Sequence, residues 1–316
     1  MNQIITTLPY AGFSETKPGG RSENQDYCWV EDTPVGLLAV VCDGMGGGPA
    51  GKLASSTAVK TIFESVKDVP AIREAEKVLR DAITAANSKL LELISENPEL
   101  KGMGTTVVAL LINKEVATIA HVGDSRLYQL RGRKKVFVTN DHSKVAEMVR
   151  AKVLTEEQAR LSSMSNVITR ALGIYEECEV EIDQVPYEKG DRFVLCTDGI
   201  WGAMPEKDLV GDFTSTKSLS GSVDRISVKV DAIGHNEGGK HDNHTIVLIE
   251  TRTNSIEKVK MSKKVRLLVW ALSLVCVVSI LFNIIQYCSN TAEPVKTESN
   301  NSVNVENDTV DNIVSE

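Results

Sequence analysis

Two short apolar runs in this chain stop in the same way. Val40–Gly44 reads VVCDG and Leu195–Gly199 reads LCTDG. The first belongs to VGLLAVVCD (Val35–Asp43), a β-branched stretch that predicts a buried strand. A strand end is a rigid platform, and a glycine after the carboxylate lets backbone approach closely. A single Asp-Gly reads most plainly as a turn. The same strand–Asp–Gly form twice is harder to assign to chance.

Further strands fit the same frame. TTVVALLI (Thr105–Ile112), VATIAHVG (Val116–Gly123), SRLYQLR and KVFVT are separated by short NKE, GD and RGRK turns, which predicts an antiparallel meander. DRFVLCTDG (Asp191–Gly199) and HTIVLIETR (His244–Arg252) add two more. Helices are expected over 55–69 and 70–97. In the second, Ile72, Ala75, Leu79, Ala82, Ile83, Ala86, Leu90, Leu93 and Ile94 recur at spacings of three and four. A small helical insert follows at 144–160, with Thr155 and Gln158 placed as a capping box. Paired helices and runs of antiparallel strands predict an α+β fold built as a layered sandwich over residues 1–253.

The 316 residues are 42% hydrophobic, which is ordinary for a folded domain and ample for a core. A net charge of -8 argues against nucleic acid as a partner. The six cysteines form no CxxC pair, so a zinc cluster is not expected. Cys42 and Cys196 lie inside apolar runs and read as reduced packing residues, in keeping with a reducing compartment.

The glycine-rich stretch after Asp43 admits three chemistries. Gly46–Lys52 matches a phosphate-binding P-loop, but Leu53 stands where a magnesium-binding hydroxyl is needed. Gly46, Gly48 and Gly51 match a dinucleotide fingerprint, but Pro49 interrupts it and no clear βαβ unit follows. Neither reading uses Asp43. The third does: Asp43 and Asp198 at strand ends, Asp26 in RSENQD and Asp242 before the last strand are hard oxygen ligands suited to Mg²⁺ or Mn²⁺.

The ordered motifs then form a larger pattern. RSENQD (Arg21–Asp26), DGMGGGPAGKLAS (Asp43–Ser55), GMGTTVVALLI (Gly102–Ile112), AHVGDSRLYQLR (Ala120–Arg131), TNDHS (Thr139–Ser143), NVITRALG (Asn166–Gly173), DRFVLCTDGIWG (Asp191–Gly202) and DNHTIVLIE (Asp242–Glu250) follow one another along residues 8–251. In this the chain resembles the metal-dependent serine/threonine protein phosphatases of the protein phosphatase 2C type, in their bacterial form. The resemblance implies a four-layer αββα sandwich of two antiparallel sheets flanked by helix pairs, with two Mn²⁺ or Mg²⁺ ions in a cleft at one edge. It implies that Asp43 bridges both ions, that the Gly44 carbonyl joins it, and that Asp26, Asp198 and Asp242 complete the ligands. It gives Arg21 the substrate phosphate, Asp124 with Asp198 a third metal, and residues 144–165 the flap beside the cleft.

Two departures from eukaryotic members stand out: Gln25 replaces a glutamate near the second metal, and Met45 replaces a histidine thought to donate a proton. Both point to the bacterial branch. The resemblance implies phosphorylated proteins as substrates and a serine/threonine kinase as the opposing enzyme. His121 reads as a packed strand residue, while His142, His241 and His244 flank motif loops without an assigned role.

Beyond the domain, Leu267–Ile285 is apolar on every helical face, broken only by Ser273, Ser279 and Asn283. At about 1.5 Å per residue it approaches a bilayer core of about 30 Å. This predicts a basic juxtamembrane linker at 254–264, a transmembrane helix at 265–287 contacting lipid, and a disordered acidic and polar tail at 288–316. Lys258, Lys260, Lys263, Lys264 and Arg266 precede the span and only Lys296 follows it. The positive-inside rule therefore places the N-terminal domain in the cytoplasm of a single-pass cell-membrane protein, with the tail outside. Two other functions stay open at this level. One is an inert, membrane-anchored phosphoprotein-binding domain, and the other is the nucleotide-binding enzyme of the P-loop reading.

Overall fold

A computed structural model of the chain describes residues 3–5, 9–47, 49–71, 74–255 and 279. The strands are β1 (Gln3–Ile5), β2 (Tyr10–Lys17), β3 (Asp26–Thr33), β4 (Gly36–Met45), β5 (Gly104–Thr105), β6 (Val107–Ile112), β7 (Ala117–Val122), β8 (Arg126–Arg131), β9 (Lys134–Val138), β10 (Glu181–Val185), β11 (Arg192–Cys196) and β12 (His244–Thr251). The helices are α1 (Pro49–Val66), α2 (Ala75–Glu96), α3 (Lys144–Arg150), α4 (Glu156–Arg160), α5 (Asp198–Trp201), α6 (Glu206–Thr214) and α7 (Leu219–Asn236). One sheet runs β1-β2-β12-β11-β8-β9 and the other β10-β7-β6-β4-β3, with β5 added beside β4. Every pairing is antiparallel.

Alternation along β4 explains the layering. Leu38, Val40 and Cys42 pack with α1 and α2 in one core, whereas Leu37, Ala39 and Val41 point the other way into the core between the sheets. A strand covered on both faces must be apolar throughout, and β4 is buried from Leu37 to Cys42. β11 does the same on the other sheet: Phe193 and Leu195 face the inter-sheet core, Val194 and Cys196 face the α6–α7 side. Each such side chain contributes about 1.5–3 kcal/mol by burial. The expected αββα order of layers is the one found.

Several boundaries move. α1 begins at Pro49 inside the glycine stretch, because proline is well suited to the first helical position, and ends at Val66. α2 begins at Ala75, and the expected apolar face from Ala75 to Leu90 is the buried one. The capping box at Thr155 and Gln158 is present at the start of α4. Strands β2, β3 and β10 were not legible as strands. β3 and β10 form the two edges of their sheet, and an edge strand keeps polar residues that blur the alternation.

By its internal contacts the chain divides into 1–258 and 259–316, and all the named elements lie in the first part. Among the described residues no helix is long and apolar enough to cross a membrane. The span expected at 265–287 and the tail at 288–316 lie outside the described residues, apart from Ser279.

Candidate metal centre

At one end of the sandwich the inter-sheet core turns polar without changing face. The register pairs Asp26 of β3 directly with Asp43 of β4. By the two-residue period Asp43 continues the Leu37, Ala39, Val41 side and Asp26 continues the Val30, Cys28 side. Thr197 follows Phe193 and Leu195 in the same way, and Thr245 precedes Val247 and Ile249. Strands that bury apolar side chains along most of their length therefore present carboxylates and hydroxyls to one another at the opening.

The hydroxyls have defined partners. Thr197 Oγ1 and Thr245 Oγ1 both donate to Asp26 Oδ2, at 2.9 and 2.7 Å. The Asp43 backbone N–H donates to Thr106 Oγ1 at 3.0 Å, and Thr105 Oγ1 donates to the Asp43 carbonyl at 2.8 Å. Asp198 opens α5, and Trp201 of that turn donates its Nε1–H to the Asp124 carbonyl at 3.0 Å. This fixes the β7–β8 turn, which carries Asp124, against α5. Asp242 sits at the mouth, where its Oδ2 meets Arg21 Nη2 at 3.1 Å. Asn243 orders the loop before β3: its Oδ1 accepts from Gln25 N–H at 2.8 Å and its Nδ2 donates to the Pro18 and Glu23 carbonyls.

The repeated Asp-Gly now has a packing reason. A Cβ on Gly44 would lie 1.9 Å from the Gly51 carbonyl oxygen, and one on Gly199 would lie 2.0 Å from that of Asn243. Both are backbone atoms that cannot swing aside. The glycines let α1 and the start of β12 close on the two aspartate-bearing strand ends, so the nearest backbone they admit is the protein's own.

The electrostatics are those of like charges held together. Burial pushes Asp26 up to about 7, with Asp198 and Asp242 adding repulsion against the two threonine donors. Asp198 rises to about 6, from burial first and then the Asp242 charge. Asp43 and Asp124 stand well above the usual carboxylate range, again from burial first and then from neighbouring aspartates. Asp26 Oδ1 and Asp198 Oδ1 are buried without a hydrogen-bond partner. Buried carboxylate oxygens in that state call for a cation. An all-oxygen donor set suits Mg²⁺ or Mn²⁺, so the residues present fit a divalent-metal centre.

Of the site residues expected from the sequence, all but Asp26 line this cleft. Arg21, Asp43, Gly44, Asp124, Asp198 and Asp242 line a cavity of about 440 Å³, and Asp26 lies buried behind Asp43. Asn166 and Ile168, just after the expected flap, form another part of the wall. The sequence reading missed Thr106, Thr197 and Thr245. Strand parity was the available signal, since each extends an inward-facing apolar series by one step. The P-loop reading loses its support: Lys52 pairs with Glu23 at 3.7 Å, and the Leu53 side chain, partly exposed, supplies no hydroxyl. His121 is packed as expected, its Nε2 on the Asn140 carbonyl at 2.9 Å. Burial pushes the Cys28 thiol up to about 12 and lifts Cys42 and Cys196 as well, so these are packing groups with little thiolate character.

An αββα sandwich with a buried aspartate cluster at its open edge defines a metal-dependent hydrolase class. Comparison with known proteins narrows it. The family model for protein phosphatase 2C matches residues 19–229. A serine/threonine phosphatase, stp, of Listeria welshimeri is 35% identical over 235 residues, covering 73% of this chain and 88% of that protein. The crystal structure of the serine/threonine phosphatase Stp1 from Staphylococcus aureus superposes with a TM-score of 0.68 at 28% identity, covering 78% of this chain and 96% of that one. The catalytic domain of the serine/threonine protein phosphatase PstP, solved in complex with two manganese ions, gives a TM-score of 0.65 at 27% identity, over 79% of this chain and 99% of that one. The chain belongs to the protein phosphatase 2C family. It is a metal-dependent serine/threonine protein phosphatase.

Proposed function

We propose that the chain removes phosphate from phosphoserine and phosphothreonine of cytoplasmic proteins, opposing a serine/threonine kinase, while anchored to the cell membrane through residues 265–287. In this reading Asp26, Asp43, Asp198, Asp242 and the Gly44 carbonyl hold two Mn²⁺ or Mg²⁺ ions, and Asp124 with Asp198 takes a third. The carrying observation is the pair of partnerless buried oxygens, Asp26 Oδ1 and Asp198 Oδ1, beside further carboxylates. The anchor and its orientation rest on the hydropathy of 267–285 and on the five cations before it. Bound in this set, the ions supply an acidified water and offset charge on the phosphoryl oxygens.

The chain's own residues do the rest. Arg21 is half exposed at the mouth, and its planar fork of donors matches a phosphate monoester. Its present partner is Asp242, so an arriving phosphate exchanges with that carboxylate for the guanidinium. Thr197 and Thr245 orient Asp26 by fixing one oxygen and leaving the other buried without a protein partner. Thr105 and Thr106 hold the backbone at Asp43, which keeps its carboxylate opposite Asp26. The cleft brings the charged and amide side chains of Arg21, Glu23, Asn166 and Asn243 to the same wall as the aspartates, which suits a phosphorylated side chain presented on a protein surface. Met45 lines it and has no proton to give the leaving oxygen.

The alternative, an inert phosphoprotein-binding domain, would be expected to have lost at least one of Arg21, Asp26, Asp43, Asp198 or Asp242. All five are in place. The test is phosphate release from a phosphothreonine peptide by the full chain, with and without Mn²⁺, beside Asp198→Asn. Release should require the metal and fall on the order of 10²–10³-fold in the variant. Metal-independent release, or full activity in Asp198→Asn, would sink this assignment of the centre.

A further inference from the structure

Among the described residues, two clusters of imidazole and carboxylate lie outside the carboxylate centre: His121, His142 and Glu181, and Asp231, His241 and His244. The first fails as a metal site on proton placement. His142 Nδ1 accepts the Gly123 N–H at 3.2 Å, so its Nε2 carries the proton that goes to Glu181 at 3.1 Å. A nitrogen that keeps its proton offers no lone pair, and Arg170 Nη1 lies 3.3 Å from the same atom.

We propose that Asp231, His241 and His244 form a second metal site, for one divalent transition-metal ion of the zinc class. Asp231 Oδ1 lies 3.1 Å from His241 Nε2 and 3.8 Å from His244 Nε2, and all three donor atoms lie within 4.8 Å of one another. Metal–ligand bonds of about 2.0–2.1 Å at tetrahedral angles separate neighbouring donors by about 3.3 Å. The two measured separations bracket that value. His241 Nε2 now donates to Asp231 Oδ1, but no N–H donates to Nδ1 of either ring, so the ring proton can move to Nδ1 and leave the Nε2 lone pair to a metal ion, as it cannot in His142.

The surroundings are built for these rings. Gly234 on α7 touches the His241 imidazole so closely that a Cβ there would lie 2.1 Å from its Cγ. Only glycine lets the ring lie flat one turn beyond Asp231. Lys17 Nζ holds the other oxygen, Asp231 Oδ2, at 3.2 Å and Glu15 at 3.8 Å. Two carboxylates against one ammonium leave a net charge of minus one, which a divalent ion offsets. Asp231 is partly exposed while His244 is buried, so the site opens toward solvent at its carboxylate. Ser227 Oγ, 3.1 Å from His244 Nε2, would turn aside as the ion takes that nitrogen.

The site backs onto the catalytic cleft. The His241 carbonyl accepts the Gly20 N–H at 3.0 Å, and the next residue, Asp242, pairs with Arg21. An ion here would tie the segment between His241 and His244 to α7 and brace both Arg21 and Asp242 from behind.

The carboxylate centre contains no histidine, so imidazole around bound zinc reports a site outside it, and the variants at Asp231 and His244 separate this cluster from that of His121 and His142. The untagged full chain, first saturated with Mn²⁺, is given Zn²⁺ and examined by zinc-edge X-ray absorption and by equilibrium dialysis. The expected result is about two imidazoles per zinc at this site in the wild-type chain. In both His244→Gln and Asp231→Asn that signal should be lost and zinc affinity should fall at least about tenfold. Zinc should also raise the thermal midpoint of the wild type and not of Asp231→Asn. An oxygen-only zinc shell in the wild type, or an imidazole signal unchanged in the variants, overturns the proposal. Should His244→Gln fail to fold, the more exposed Asp231→Asn decides it. Loss of phosphatase activity would bear on the carboxylate centre and leaves this readout untouched.

Discussion

Two buried polar clusters lie side by side at the open edge of the sandwich, and they carry charge in opposite ways. In one, Asp141 accepts three hydrogen bonds of 2.7–3.1 Å from Arg126, whose guanidinium also donates to Tyr128 and lies 3.8 Å over the Trp201 ring. In the other, Asp26, Asp43 and Asp198 crowd together with two buried oxygens left without partners. The first is a structural device in which a buried charge has its counter-charge built in. The second depends on a cation from solution. Trp201 links them, stacked on Arg126 with its N–H on the Asp124 carbonyl. What separates a scaffold from a reactive site here is which cluster has been left uncompensated.

The largest expected effect comes from making the satisfied cluster resemble the unsatisfied one. Arg126→Met leaves the Asp141 carboxylate buried and unpaired, and should cost about 3 kcal/mol in a denaturant unfolding experiment. A loss no greater than that of a surface arginine would show that the pair is not structural.

The reverse change, relieving repulsion in the metal centre, sharpens the contrast through pH. An ordinary aspartate titrates near 3.8, whereas Asp198 in the folded chain titrates near 6. Folding therefore favours its protonated form. The penalty is absent below pH 4, grows as pH rises toward 6, and is constant above that. Without metal, Asp198→Asn should match the wild type near pH 3 and exceed it by about 3 kcal/mol at pH 7. Saturating Mn²⁺ should invert the order, because the wild type alone keeps the full ligand set. Parallel stability curves across this range would contradict the electrostatic account.

The smallest effect concerns one hydroxyl. Thr245→Val removes a donor from Asp26 Oδ2 and should cost about 1 kcal/mol of stability, with weaker Mn²⁺ binding measurable by calorimetry. Unchanged affinity would mean that Thr197 alone suffices to orient that carboxylate.

Much of this site was legible in the residues. Strand runs that end in Asp-Gly, an Asp-Asn before the last strand, and the missing hydroxyl at Leu53 together favoured a hard-cation centre over a nucleotide loop. The ordered motifs then implied the layered fold. Strand parity puts Thr197 and Thr245 on the inward face, but their role was not legible, because a threonine in a strand is an ordinary β residue until its neighbours are known. β3 and β10 were hidden because an edge strand need not alternate cleanly. The glycines after Asp43 and Asp198 also make room for the Gly51 and Asn243 backbone, a close approach that only the packing of α1 and the segment before β12 reveals.

By itself the sequence determined which strands are buried on both faces, where each carries its carboxylate, and that α2 offers a single apolar stripe. These follow from local periodicity, which needs only neighbouring residues. Tertiary structure alone decided that Asp26 lies opposite Asp43, that Thr197 and Thr245 reach Asp26 from the other sheet, and that Asp231 meets two histidines on a helix face cleared by Gly234. Those contacts join residues up to 219 positions apart. Strand register and the packing of one layer on another bring them together, and neither is written in any short stretch of the chain.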